Sequence, residues 1–298
     1  MSGPPEPQAL RIDAPGWSLG AKLWWPDGEP RALFVLHHAM MAHAGAMAPL
    51  AAALRARGFA AATVDARGHG QSPPLPPAGD WTFDALVSGD HPASARALRS
   101  IAPGLPLIAV GHSLGGQAAL AAEATEGPLY DAILILGSGL WGQEGGLLHL
   151  QRRGLYELGL ALAWPLGRLP TGWFGRWRDE SYGYWRQTTG WVRSGRWLRA
   201  DGLDYGAAVA GLQLPIHAFL GEHDPLVRPA DQRALVRAAG ARFHAVPGAD
   251  HNRLPRQVVS VLDGLLDGIV EEAAAWRLGR LEPRASSSAS VGSALRPP

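Results

Sequence analysis

Residues 105–124 read LPLIAVGHSLGGQAALAAEA. The apolar run up to Val110 has the character of a buried strand and the alanine-rich run after Leu114 that of a helix, with only a histidine and a serine set among glycines to join them. No residues are left for a loop. Gly111, Ser113 and Gly115 thus fit G-x-S-x-G at a strand-to-helix turn, the setting in which a strained backbone lifts a serine hydroxyl above a sheet. Neighbours without Cβ atoms let strand and helix approach closely there. The first helical amides, that of Leu114 foremost, aim unpaired N–H groups at the same spot. The competing reading is that Ser113 merely caps the helix, as serine commonly does.

The alternation continues outward on both sides. RALFVLHH (31–38), FAAATVD (59–65), DAILILG (131–137), PIHAFLG (215–221) and ARFHAVPG (241–248) are further short apolar strands. Helical patterns lie over 45–57, over 84–101, after Ser113 and over 255–276. Continuously apolar strands alternating with helices predict an α/β fold whose central sheet is mainly parallel, covered on both faces, with working groups at the strands' carboxyl ends. Residues 8–25, around PGWSLG, alternate instead and read as an antiparallel hairpin at one edge.

Between Ser138 and about Gly206 the pattern breaks. Seven of the 12 tryptophans fall there, from Trp141 to Trp197, among interspersed arginines. Residues 149–169 carry helical periodicity cut by Pro165. A helical cap packed over the strand ends is expected, giving a core over 1–137 and 207–278, a cap insertion over 138–206, and a polar tail over 279–298 expected to be disordered.

At 298 residues and 47% hydrophobic content the chain can bury a large core. It holds no cysteine, so disulfides, thiolate nucleophiles and thiolate metal sites are excluded, and oxygen and nitrogen groups must do any chemistry. No metal or cofactor is expected. A formal net charge of +1, with Lys22 the sole lysine, gives no case for nucleic acid as a partner. The opening residues lack a signal-peptide pattern and no stretch is apolar enough to span a bilayer, so a cytoplasmic protein without stable membrane insertion is expected.

A serine hydroxyl needs a base, and the base needs a partner to fix its tautomer. His251, in VPGADHNRLP after the last strand, sits on a loop at the working edge of the sheet. His244 lies within a strand, where packing is expected. His112 adjoins the serine and should point away, while His37 and His38 end another strand. For the acid, Asp224 in GEHDPLV leaves its strand at the same edge with its backbone turned by Pro225; Glu222 is the fallback. Asp250 is discounted as a sequence neighbour of His251. Ser113, Asp224 and His251 follow the chain order serine, acid, histidine, which on an alternating α/β pattern is the signature of the α/β-hydrolase fold.

The loop after the earlier strand, VLHHAMMAHAGAM, should supply the second oxyanion amide, from Ala39 or else Met40. Its adjacent methionines, Met40 and Met41, either line an adaptable apolar wall or simply pack into the core. DARGHGQS (65–72) is a turn-rich loop in which His69 is expected to hold the turn and to have no catalytic role. The G-x-x-x-x-G-K-[ST] arrangement of a phosphate loop is absent.

Taken together, VGHSLGG, DARGHGQS, GEHDPLV and GADHN resemble the α/β-hydrolase superfamily over about residues 20–275, particularly bacterial serine hydrolases of the esterase, lysophospholipase and monoacylglycerol-lipase kind. The SGLW stretch and the Trp/Arg-rich cap are similar to a group of predicted hydrolases. The resemblance implies Ser113 as nucleophile, Asp224 as acid, His251 as base and the Leu114 and Ala39 amides as oxyanion donors. It departs from the common His-Gly pattern at His37-His38, placing a side chain at a crowded loop.

The expected reaction is hydrolysis of a carboxylic ester of a small to medium apolar substrate, a small-molecule acyl partner held by His38, Met40 and Trp141. Thioesterase, peptidase or acyltransferase chemistry would use the same residues, and an inactive binding protein could keep the fold. Cap arginines could meet a carboxylate or phosphate, or form only a solvated face. Residues 147–164 could instead serve as an amphipathic lipid-surface anchor. Oligomeric state is not legible.

Overall fold

The computed structural model describes residues 6–140, 146–175 and 178–281. The chain opens with β1 (Gln8–Ala14), β2 (Trp17–Trp24), β3 (Leu33–His37), α1 (Ala48–Ala56) and β4 (Ala60–Val64). Next come α2 (Phe83–Ala85), continued by a π-helical turn into α3 (His91–Ile101), then β5 (Leu107–His112), α4 (Leu114–Glu126) and β6 (Ala132–Leu136). The insertion contains α5 (Gly146–Leu166), β7 (Arg168–Leu169), β8 (Glu180–Ser181), α6 (Tyr182–Ser194) and α7 (Tyr205–Val209). The core resumes with β9 (Ile216–Gly221), α8 (Pro229–Ala238), β10 (Arg242–Val246), α9 (Leu254–Gln257), α10 (Val259–Leu262) and α11 (Leu266–Leu281).

Eight strands form one sheet in the order β1-β2-β4-β3-β5-β6-β9-β10, antiparallel only at β1–β2 and β2–β4. The expected edge hairpin is thus present. Period-two alternation explains why the inner strands read as unbroken apolar runs: Leu107 and Ala109 of β5 join the core on one face, Ile108 and Val110 the core on the other. Because β3 lies between β4 and β5, the chain leaves it once to each side, and a crevice opens at the carboxyl ends of β3 and β5. Ser113 follows β5 there.

The insertion leaves the sheet intact, since β6 pairs directly with β9. Its small core stacks Tyr156 on Trp185 at 4.6 Å, with Ala163, Leu169 and Val192 around them. One sequence expectation changes here. The insertion is not wholly helical, because β7 and β8 form a short antiparallel ribbon. Its tryptophans are divided: Trp191 and Trp197 pack edge-on against Phe83 in the main core, whereas Trp164 and Trp173 are exposed. Trp141 and Trp177 lie outside the described residues.

Helix α5 ends one residue past Pro165, where Gly167 at φ 64 turns the chain. The boundary at 206 falls inside α7, and the anticipated last helix is three helices, broken at Val258 and around Gly264. Its final piece reaches Leu281, so residues 279–281 of the anticipated tail are helical, and 282–298 lie outside the described residues. Among the described residues no helix is long and apolar enough to cross a membrane.

Candidate active site

Ser113 has φ 51 and ψ −111, a region that L-residues rarely occupy. Its neighbours require this turn to be tight. A Cβ on Gly111 would lie 2.3 Å from the Gly116 nitrogen, and one on Gly115 would lie 2.5 Å from the His37 carbonyl oxygen. The capping alternative is settled by geometry: the Ser113 side chain makes no capping hydrogen bond to α4. Its backbone is instead tied to the end of β6, its N–H donating to the Leu136 carbonyl at 2.8 Å and its carbonyl accepting from Ser138 Oγ at 2.8 Å.

The loops after β9 and β10 are held together by backbone bonds, His223 N–H donating to the Ala249 carbonyl at 3.0 Å. This brings Asp224 Oδ2 within 2.7 Å of His251 Nδ1, the two side chains being 1% and 7% exposed. Asp224 Oδ1 accepts the Leu226 and Val227 amides, each at 2.9 Å, so the loop turned by Pro225 also aims the carboxylate. A carboxylate at Nδ1 keeps the proton there and leaves Nε2 with the free lone pair.

Gly137 connects this pair to the serine turn. It follows Leu136, whose carbonyl receives the Ser113 amide, and a Cβ on it would stand 3.2 Å from Asp224 Oδ2 and 3.3 Å from His251 Nδ1. Residues from β5, β9 and β10 therefore converge on the end of β6.

His112 differs from expectation. Its ring packs 4.9 Å from that of His251, and burial first, then the proximity of His251, hold it down to about 3, so it is neutral. It backs the His251 ring. The other sequence alternatives stay apart: Glu222 accepts the Gly248 amide and Asp250 the Arg253 amide. His244, half-buried, is bonded to His217 and stacks on Phe219.

The loop after β3 crosses directly above α4, as the closeness of the His37 and His38 carbonyls to Gly115 requires. Among the described residues the Ala39 and Met40 amides have no hydrogen-bond acceptor, while that of Met41 donates to Glu180. The His38 side chain, unexpected at a crowded loop, is accommodated beneath it. Its Nδ1 meets the Ala39 carbonyl at 2.7 Å and its Nε2 accepts the Ala66 amide at 3.1 Å. Burial chiefly lowers it to about 3. With both ring nitrogens engaged within the protein and only 4% exposed, His38 braces the loop.

Met40 packs against both the main core and the insertion's core, joined there by Met41. Trp141, expected beside the substrate, lies outside the described residues. His69 does hold its turn, facing the Arg67 carbonyl at 3.1 Å, but it also meets Glu180 Oε1 at 3.2 Å. Sequence reasoning missed Glu180, because nothing local marks it. A separate open cleft of about 1800 Å³ lies between the β1–β2 hairpin, α1 and the insertion's Arg168, Gly172, Arg178 and Asp179, and includes none of Ser113, Asp224 or His251.

Comparison with known proteins agrees with this architecture. The family described as serine aminopeptidase, S33, matches residues 28–181. A monoacylglycerol lipase of Mycolicibacterium smegmatis is 32% identical over 127 residues, covering 41% of this chain and 43% of that protein. The monoglyceride lipase of Homo sapiens is 30% identical over 132 residues, 42% of this chain and 40% of that one. The match thus spans about two-fifths of the length of these curated relatives. Among solved structures, DcsB in complex with its substrate analogue superposes with a TM-score of 0.67 at 14% identity, covering 89% of this chain and 99% of that one. Ferulic-acid-bound Est1E from Butyrivibrio proteoclasticus gives 0.62 at 19% identity, with 88% and 100% covered. At those identities the likeness is one of fold. With the family pattern matched over more than half its length, on a sheet of this order, the chain belongs to the serine aminopeptidase S33 family of α/β-hydrolases.

Proposed function

We propose that the protein is a serine hydrolase that cleaves a carboxylic ester of a small to medium apolar substrate through an acyl-enzyme. Ser113 Oγ attacks the carbonyl carbon while His251 Nε2 takes the hydroxyl proton. Asp224 holds the Nδ1 proton in place and stabilises the imidazolium. The Leu114 and Ala39 amides receive the negative charge on the carbonyl oxygen. His251 returns the proton to the departing alcohol, and water then releases the acid by the same steps. Met40 forms part of the apolar wall. The cytoplasm, as read from the sequence, is the proposed site of action.

The observation that carries this reading is the 2.7 Å Asp224–His251 bond, packed through Gly137 against the end of β6 that also holds the backbone of a strained Ser113. Partial likeness to lipases of monoacylglycerols favours an ester, and the family description favours an amide as the first alternative. A panel of nitrophenyl esters of graded chain length, with a thioester and an aminoacyl anilide, separates these. The expected result is fastest turnover on one of the esters, and its loss in Ser113→Ala. Preference for the anilide or thioester moves the assignment to a peptidase or thioesterase, and no turnover of any member leaves a binding protein.

A second reading has its own observation: Leu147, Leu150, Leu155 and Leu158 along α5, with Trp164 at its end, are 62–74% exposed. Such a face suits the same chemistry carried out at a lipid surface. Flotation with liposomes tests this, and protein that stays in the dense fraction removes it.

A further inference from the structure

Besides Ser113, the structure describes one other non-glycine residue of positive φ: Met41, at φ 59, in the loop after β3. An L-residue in that region is strained and persists only where its surroundings impose it. Here one short stretch of the insertion holds both sides of the residue. The Met41 N–H donates to Glu180 Oε1, and its carbonyl accepts from the Arg178 N–H at 2.9 Å.

Glu180 is fully buried, and its backbone is fixed by pairing with Leu169 in the β7–β8 ribbon. The same Oε1 lies 3.2 Å from His69 Nε2, while Oε2 has no partner among the described residues. Burial alone would lower the His69 pKa, but the charge and hydrogen bond of Glu180 prevail and raise it. A buried carboxylate with one oxygen unpaired is unfavourable, and calls for an explanation beyond stability. Its position supplies one. Of three successive amides, Ala39, Met40 and Met41, the last is bound to the insertion and the first two have no acceptor among the described residues.

We propose that Glu180 is the positioning residue of the oxyanion loop: by holding the Met41 amide it fixes the Ala39–Met41 backbone, and so makes acyl transfer depend on how the insertion is seated. The inference rests on the serine-hydrolase reading above. Oxyanion donors act at about 2.7–3.1 Å from the charged oxygen and lose most of their effect when displaced. Removing the anchor of a strained loop therefore weakens the transition state more than it weakens substrate binding.

The test compares wild type, Glu180→Ala and Glu180→Gln as full chains, with active sites counted by a fluorophosphonate label. Three quantities are read: kcat and KM on the best nitrophenyl ester, and inhibition by a trifluoromethyl ketone, whose adduct carries an oxyanion. Glu180→Ala is expected to lose about tenfold to a hundredfold in kcat with KM within about threefold. Its affinity for the ketone should fall by a similar factor. Glu180→Gln, whose amide oxygen still accepts the Met41 N–H, should recover most of both. Glu180→Asp, too short to reach, substitutes if the alanine variant does not fold, and should show the same loss.

Unchanged kcat per labelled site and unchanged ketone affinity, with only a lower melting temperature, would make Glu180 a structural residue and overturn the proposal. A rise confined to KM would overturn it as well. A wild type that takes no label and turns over no ester overturns the serine-hydrolase reading and this inference together; a labelled, active wild type with an equally active alanine variant overturns this inference alone.

Discussion

At the scale of single residues, Gly137 ties the candidate site together most tightly. At φ 57 it sits in the left-handed region, with Leu254, Asp224 and His251 all within 3.3 Å of where a Cβ would stand. Gly137→Ala should cost about 1–2 kcal/mol of stability from the backbone alone. It should also push the Asp224–His251 pair off its line, lowering kcat by about tenfold or more. Urea unfolding alongside kinetics checks this, and an alanine variant with unchanged kcat would show that the pair does not depend on its floor. The residues of this pair were legible in the sequence because each sits in a short loop of distinctive composition: Asp224 before Pro225, His251 after Gly248. The Glu180 clamp was not. Its partners lie 111 and 139 positions away, and no local pattern encodes a contact of that span.

At the scale of elements, the insertion is held to the core by specific charges as well as by apolar packing. Arg152 of α5 donates to Asp231 of α8 at 2.7 Å, their side chains being 10% and 1% exposed. Removing one member of a buried ion pair is destabilising, so Arg152→Met should lower stability, by up to about 3 kcal/mol. A shifted insertion should raise KM at the same time. Calorimetry and ester kinetics read the two effects, and a variant that keeps both values would show that α5 is seated by other contacts. The inner strands β3, β4, β5, β6 and β9 were readable because burial on both faces leaves them almost wholly apolar. The insertion was readable only as an interruption of that pattern. The tryptophan-rich stretch does not pack as one unit: Trp191 and Trp197 belong with Phe83 and Tyr205 in the main core. Composition records how much apolar surface is to be buried and is silent on which neighbour buries it.

At the scale of the whole molecule, the histidines predict how the fold responds to acid. His37, His38, His91 and His112 are buried and held neutral, burial being the leading cause for each, with the last three down at about 3. Unfolded, each titrates near 6.5. Between those limits the unfolded chain takes up protons that the fold refuses, so stability falls as pH drops from about 6.5 towards 3. His69 acts in the opposite sense, since its raised value makes its contribution complete at low pH and lost as pH rises through it. Urea midpoints measured from pH 7 to 4.5 should therefore fall steeply, and a flat profile would mean that these rings titrate freely in the fold. The catalytic assignment has a more direct test. Incubation with a fluorophosphonate, followed by intact-mass and peptide mass analysis, should give one adduct per chain, carried by Ser113. An adduct on any other residue, or an unmodified folded protein, would contradict it.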